Sequence, residues 1–301
     1  MGHFIRWREY RRRIAVFLWA GMLVFTGVLA GGCGAEDGAK MLSGTGIFSW
    51  SETLPEKKEE QKQLQETAEL LEIERVFQAF PESMEEGSAG GFISDLGLRG
   101  IECYGLIGTP EWGTDSGMGE ACRRIDELAD YNGRVSDGRR LAGVVADIEP
   151  YLLSRWDTQP RQVMEEFCGS MKEIYLHAKT RGLSLTLCIP YWYDEDYPEF
   201  LEALVRDCCD EIAVMNYYVG KERSHMETEL KLCRQYGKPI ICVSEFQPPG
   251  DHDLTNDNTY YNRGLAAAEK TWRLIQKDSG YGKLTFAYHY LEPVRELALS
   301  R

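Results

Sequence analysis

The chain alternates between short apolar runs and longer segments whose apolar residues recur at helical spacing. Eight runs read as strands: Gly46–Trp50, Arg75–Phe80, Ile101–Ile107, Leu141–Glu149, Leu183–Ile189, Glu211–Tyr217, Pro239–Phe246 and Leu284–Tyr290. They are short, rich in β-branched and aromatic residues, and bounded by Gly, Pro or Asp. Between them lie helical segments: Glu56–Leu71 behind Pro55, a short one near Phe92–Leu98, Gly119–Tyr131, Gln162–Thr180, Tyr197–Asp207, His225–Tyr236 and Asn258–Asp278. The longest carries Val163, Phe167, Met171, Ile174 and Ala178 on one face, the stripe an amphipathic helix buries. Gly182 and Gly237 close two of these helices. The residues after Tyr290 suffice for the start of a closing helix.

Strands alternating with helices imply right-handed βαβ units and a parallel sheet. Eight units within about 260 residues match a single (β/α)8 TIM barrel over residues 46–301. An open doubly wound sheet is the alternative, and the absence of a glycine-rich phosphate loop after the first strand weighs against it.

The chain has 301 residues with a net charge of -14, which argues against nucleic acid as a partner. The N-terminus departs from that average: Arg6, Arg8, Arg11, Arg12 and Arg13 face only Glu9, and an apolar run from Ile14 to Ala30 follows. A basic stretch, an apolar stretch and small residues describe an export signal. Gly31-Gly32-Cys33 resembles the lipobox of bacterial lipoproteins, with Leu29 one place further from the cysteine than usual. That resemblance implies lipidation of Cys33, and an uncleaved membrane anchor is the alternative. Either would hold residues 34–45, a small polar tether, and the barrel outside the cytoplasmic membrane. The other eight cysteines form no CxxC pair. They read as buried free thiols, a disulfide staying open in an exported protein. No metal or cofactor is expected.

The most informative stretch is Gly143-Val144-Val145-Ala146-Asp147-Ile148-Glu149-Pro150. Alternate side chains of a strand share a face, so Asp147 and Glu149 point together, while Val144, Ala146 and Ile148 take the other side. Two acids at a strand's C-terminal end are costly to bury, which points to a site. The plainer reading is a salt-bridged or capping pair. In a barrel, the site lies at those C-terminal ends. Candidate substrate-binding residues there are Trp50, Tyr104, Trp112, Tyr191, Trp192, Asn216, Tyr288 and Tyr290, with Tyr217 and Glu245 among the candidate catalytic ones. Lys and Arg are nearly absent. Aromatic rings suit the apolar faces of sugars and carboxylates suit hydroxyls and acid–base work, so a glycan is the expected partner. His289, a lone histidine at a strand end, reads first as a hydrogen-bonded structural residue.

Two resemblances bear on mechanism. Glu149 and Glu245 are similar in place to the acid/base and nucleophile of the barrel glycosidases that carry these glutamates on strands four and seven, although Ile148 stands where that clan has asparagine. Gly143, Asp147 and Glu149, with Met215-Asn216-Tyr217, resemble the strand-four and strand-six motifs of the family 18 chitinases. By that resemblance Glu149 is the general acid, Asp147 orients the substrate's acetamido group, and Tyr217 hydrogen-bonds it. Ala142, Val145 and Tyr218 replace aspartates of the pattern. The expected function is a glycoside hydrolase, with a catalytically inactive glycan-binding barrel as the alternative and a hydrolase of a non-sugar bond a weaker third.

Overall fold

The computed structural model describes residues 42–300. Its eight strands close into one parallel barrel in chain order, β8 returning to β1. The strands are β1 (Gly46–Ser49), β2 (Arg75–Ala79), β3 (Glu102–Ile107), β4 (Gly143–Ala146), β5 (Leu185–Pro190), β6 (Glu211–Met215), β7 (Ile240–Glu245) and β8 (Leu284–His289). The helices are α1 (Lys58–Leu70), α2 (Ser88–Gly97), α3 (Met118–Arg134), α4 (Pro160–Thr180), the single turn α5 (Tyr193–Asp196), α6 (Pro198–Asp207), α7 (Glu227–Tyr236), α8 (Leu265–Ser279) and α9 (Leu291–Leu299). The expected single (β/α)8 barrel is therefore the fold. The export signal, Cys33 and most of the tether lie outside the described residues. Among those described, no helix is long and apolar enough to cross a membrane.

Two apolar layers follow from strand alternation. Phe48, Phe77, Leu106, Val145, Ile241 and Val243 fill the barrel interior. Their neighbours Val76, Val144, Leu187, Ile212, Cys242 and Phe286 pack outward against the helices. Ring edges meet inside the barrel, with the Phe48 and Phe77 centroids 4.8 Å apart. Pro160 and Pro198 each start a helix, where their missing N–H costs nothing. Gly237, at φ 69°, ends α7 in the left-handed region.

Several boundaries shift from expectation. The ladder of β4 ends at Ala146, paired with Ile107, so Asp147-Ile148-Glu149 forms the lip beyond the strand. The helix expected from Asn258 starts at Leu265, because residues 258–264 turn back over the barrel: Thr259 Oγ1 donates to the Gln247 carbonyl at 2.8 Å. Leu42 and Thr45, placed in the tether by composition, already belong to the barrel. Leu42 is buried, and the Thr45 carbonyl accepts from Glu74 N at 2.9 Å.

The N-terminal end of the barrel is closed by a buried ion pair. Arg75 donates through both terminal nitrogens to Glu211, at 3.1 Å each, and Thr186 Oγ1 adds a third donor at 3.0 Å. The guanidinium lies over the Phe77 and Tyr104 rings, 5.3 and 5.6 Å from their centroids. Removing one partner strands the other charge. Arg75→Ala is thus expected to cost about 3–5 kcal/mol in chemical denaturation, with Arg75→Met/Glu211→Leu recovering most of it. A single variant as stable as the parent would show that the pair carries no such penalty.

Candidate active site

At the C-terminal end of the barrel, the register of β4 carries Val145, Asp147 and Glu149 inward. The lip reaches this position because Asp147 N still donates to the Ile107 carbonyl at 2.8 Å. Gly108 makes that approach feasible: a Cβ there would sit 2.0 Å from the Asp147 carbonyl oxygen. Asp147 and Glu149 are 9% and 8% exposed, and neither has an arginine or lysine partner among the described residues. The plainer reading of a salt-bridged pair is not what the structure contains.

Their surroundings differ. Asp147 Oδ1 is buried with no hydrogen-bond partner among the described residues. Burial pushes this carboxyl's pKa up, and the Cys188 thiol beside it opposes the shift only in part. Glu149 accepts a short hydrogen bond from the Tyr151 hydroxyl. Burial also raises Glu149, with the Asp147 charge adding to it, while the Tyr151 hydroxyl and the His289 charge pull the other way. Two adjacent acids, each displaced above the ordinary carboxylate range, favour the binding of at least one proton at neutral pH.

Glu245 is a carboxylate of a different kind. Its Oε1 accepts from the backbone N–H groups of Phe246 and Gln247 at 2.7 and 2.8 Å. Its Oε2 accepts from Gln247 Nε2 at 3.0 Å and pairs with His289 Nδ1 at 2.9 Å. Burial acts to raise its pKa, but the His289 charge and these donors outweigh it and hold the group below the usual range. Its lone pairs are committed to protein donors, the arrangement of a holding group rather than of a nucleophile poised for attack. Tyr217 packs against the same centre, its ring stacked on His289 at 5.5 Å between centroids.

The predicted substrate-binding residues separate into two sets. Trp50 and Tyr290 pack on the interior cluster at the mouth. Trp192 meets Tyr151 edge-on at 5.4 Å, extending the wall beside Glu149. Tyr191 stacks on His225 with centroids 4.3 Å apart, and Trp112 packs on the outer core from the turn after β3. The other three do not reach the mouth. Tyr104 sits near the N-terminal end of β3, its hydroxyl on Glu102 at 2.9 Å and its ring under Arg75. Tyr288 has the outward parity of β8 and is sealed against Trp272, centroids 4.7 Å apart, with its hydroxyl on Glu269. Asn216 lies on the outward side of β6, Nδ2 holding the Glu222 carbonyl at 2.9 Å. Strand parity excludes the last two and depth along the barrel excludes the first. Tyr151, unremarked in the sequence, belongs to the site, and its signal is its place two residues past Glu149. Among the described residues, no three His, Cys, Asp or Glu side chains are grouped to hold a metal ion.

No protein-family model matches the chain, and no curated protein matches it. Solved structures do resemble it. A GH18 chitinase from Pseudoalteromonas aurantia superposes with a TM-score of 0.55 at 13% identity, covering 86% of this chain and 100% of that one. A GH113 β-1,4-mannanase gives 0.54 at 13%, covering 84% and 89%. The deoxyribose phosphate aldolase of Aeropyrum pernix gives 0.50 at 11%, covering 86% and 89%. What the chain has in common with all three is the barrel, a fold that supports unrelated reactions.

The raised carboxyl pKa values fix the sign of a stability effect. The unfolded chain loses these protons near pH 4, whereas the folded protein keeps them to higher pH. Above that point the unfolded state binds fewer protons, so stability falls as pH rises until the folded groups ionise as well. Asp147→Asn is therefore expected to melt about 2–4 °C or more above the parent at pH 8 and close to it at pH 4, by thermal unfolding. A variant less stable than the parent at pH 8 would contradict the strained carboxyl pair.

Proposed function

We propose that this chain is a membrane-tethered glycoside hydrolase in which Glu149 is the general acid. The observation that carries this reading is the unneutralised Asp147–Glu149 pair, held at the open end of the barrel beside Tyr151 and Trp192. A carboxyl kept protonated by burial and a neighbouring acid can give its proton to a glycosidic oxygen. The C–O bond then breaks, its electron pair leaves with that oxygen, and positive charge gathers on the anomeric carbon. The Asp147 carboxylate, with an oxygen that accepts from no described residue, stabilises that charge or orients a substituent of the same ring. Trp50, Trp192 and Tyr290 supply ring faces for the sugars. The chitinase and mannanase that share the fold suggest chitin and β-1,4-mannan oligosaccharides as first substrates.

The alternative is a barrel that holds a glycan without cleaving it, favoured by Val145 standing where the chitinase pattern has its inner aspartate. Glu149→Gln separates the two. It is expected to lower turnover of chitin or mannan oligosaccharides by about 10²–10⁴-fold while leaving binding within a few-fold. Binding by the parent with no product from either oligosaccharide would favour the binding barrel.

Tethering rests on the basic and apolar N-terminus ending at Cys33. Cys33→Ala is expected to abolish incorporation of labelled palmitate in a bacterial host. Undiminished labelling would locate the lipid elsewhere, and an unlabelled parent that stays in the membrane fraction would favour the uncleaved anchor.

A further inference from the structure

We propose that His289, held by Glu245, is the base that deprotonates the attacking water, so that the enzyme inverts anomeric configuration. The inference rests on the hydrolase reading above and adds the second half of the reaction. Strands β4 and β8 lie four places apart in either direction around an eight-strand barrel. Glu149 and His289 therefore stand on opposite sides of its mouth. Inverting glycosidases need this arrangement: an acid on one face of the sugar and a base on the other, with about 6.5–9.5 Å between catalytic groups for the water.

The imidazole is built to face that gap. Ala287, two residues earlier on β8, lines the barrel interior, so strand parity turns His289 inward as well. Its Nδ1 is taken by Glu245 at 2.9 Å, and Glu245 is itself fixed by the three further donors from Phe246 and Gln247. The ring is stacked by Tyr217 and met edge-on by Phe48 at 5.8 Å and by Tyr290 at 5.2 Å. Its Nε2 has no hydrogen-bond partner among the described residues, and the side chain keeps 16% of its surface exposed. A carboxylate on Nδ1–H fixes the tautomer that presents Nε2 as an acceptor. The titratable groups around the ring are Glu245 on β7, Tyr217 after β6, Glu149 with its neighbour Asp147 after β4, Tyr290 at its own strand end and Glu292 on α9.

The step balances. Water gives one proton to His289 Nε2 as its oxygen bonds to the anomeric carbon. The glycosidic C–O bond breaks, and its oxygen takes the proton of Glu149. Imidazolium and carboxylate remain, and solvent returns both to their starting states. Glu245 stays ionised throughout and acts as a positioning residue.

Three measurements test this. Proton NMR of the first product is expected to show the inverted anomer. Retention would overturn the proposal while leaving the hydrolase reading intact. His289→Gln is expected to lower kcat by about 10²–10⁴-fold with little change in KM; an unchanged kcat would overturn it. Independently of turnover, nitrogen-15 NMR of the parent above the histidine titration range is expected to show His289 as the Nδ1–H tautomer, lost in Glu245→Gln. An Nε2–H tautomer in the parent would overturn the dyad even if no glycan were cleaved.

Discussion

The rest of the site depends on one electrostatic cost: two carboxyl groups two residues apart, both about nine-tenths buried, with no cation bonded to either among the described residues. Most proteins avoid this arrangement, because burial and mutual repulsion both oppose ionisation. Here the lip after β4 is fixed regardless, by the Asp147 N–H on the Ile107 carbonyl and by a glycine at 108 that leaves room for the Asp147 carbonyl. The free energy needed to hold the acids there comes from the two apolar layers of the barrel, which are indifferent to what the lip carries. The result is a pair of carboxyls whose pKa values burial and mutual repulsion displace upward.

The barrel handles its other buried acids in the opposite manner. Glu211 at the N-terminal end is met by both arms of Arg75 and by Thr186. Glu245 near the mouth is met by two backbone amides, Gln247 and His289. Satisfied carboxylates of this kind hold structure or orient a neighbour, and they have little left to offer a substrate. The contrast separates acids met by donors from acids left without a cation. In the proposed reaction Glu245 is accordingly the anchor and His289 offers the exposed nitrogen.

Much of this was legible in the chain. The eight apolar runs and their helical spacers carry the barrel because both periodicities are local and the turn residues fall between them. The position of Asp147 and Glu149 at the end of the fourth strand was equally readable, since alternation alone sets their shared face. Strand ends were less secure. Tyr288 follows a strand to its end yet has the outward parity, and Asn216 lies on the outer side of its strand. Tyr104 has the inward parity but sits too deep, beside Arg75. Excluding them from the mouth required the closed register, which no single strand contains.

By itself the sequence determined the fold class and the placing of a carboxyl pair at a barrel lip, because period-two and helical patterns record burial one element at a time. Only the tertiary structure decided which acids are neutralised. Glu245 and His289 lie 44 residues apart, and Arg75 and Glu211 lie 136 apart. The first follows from the pairing of β7 with β8, which sets Glu245 beside His289, and the second from closure of the barrel, which brings β2 opposite β6; such long-range pairing decides which buried acids are met by donors.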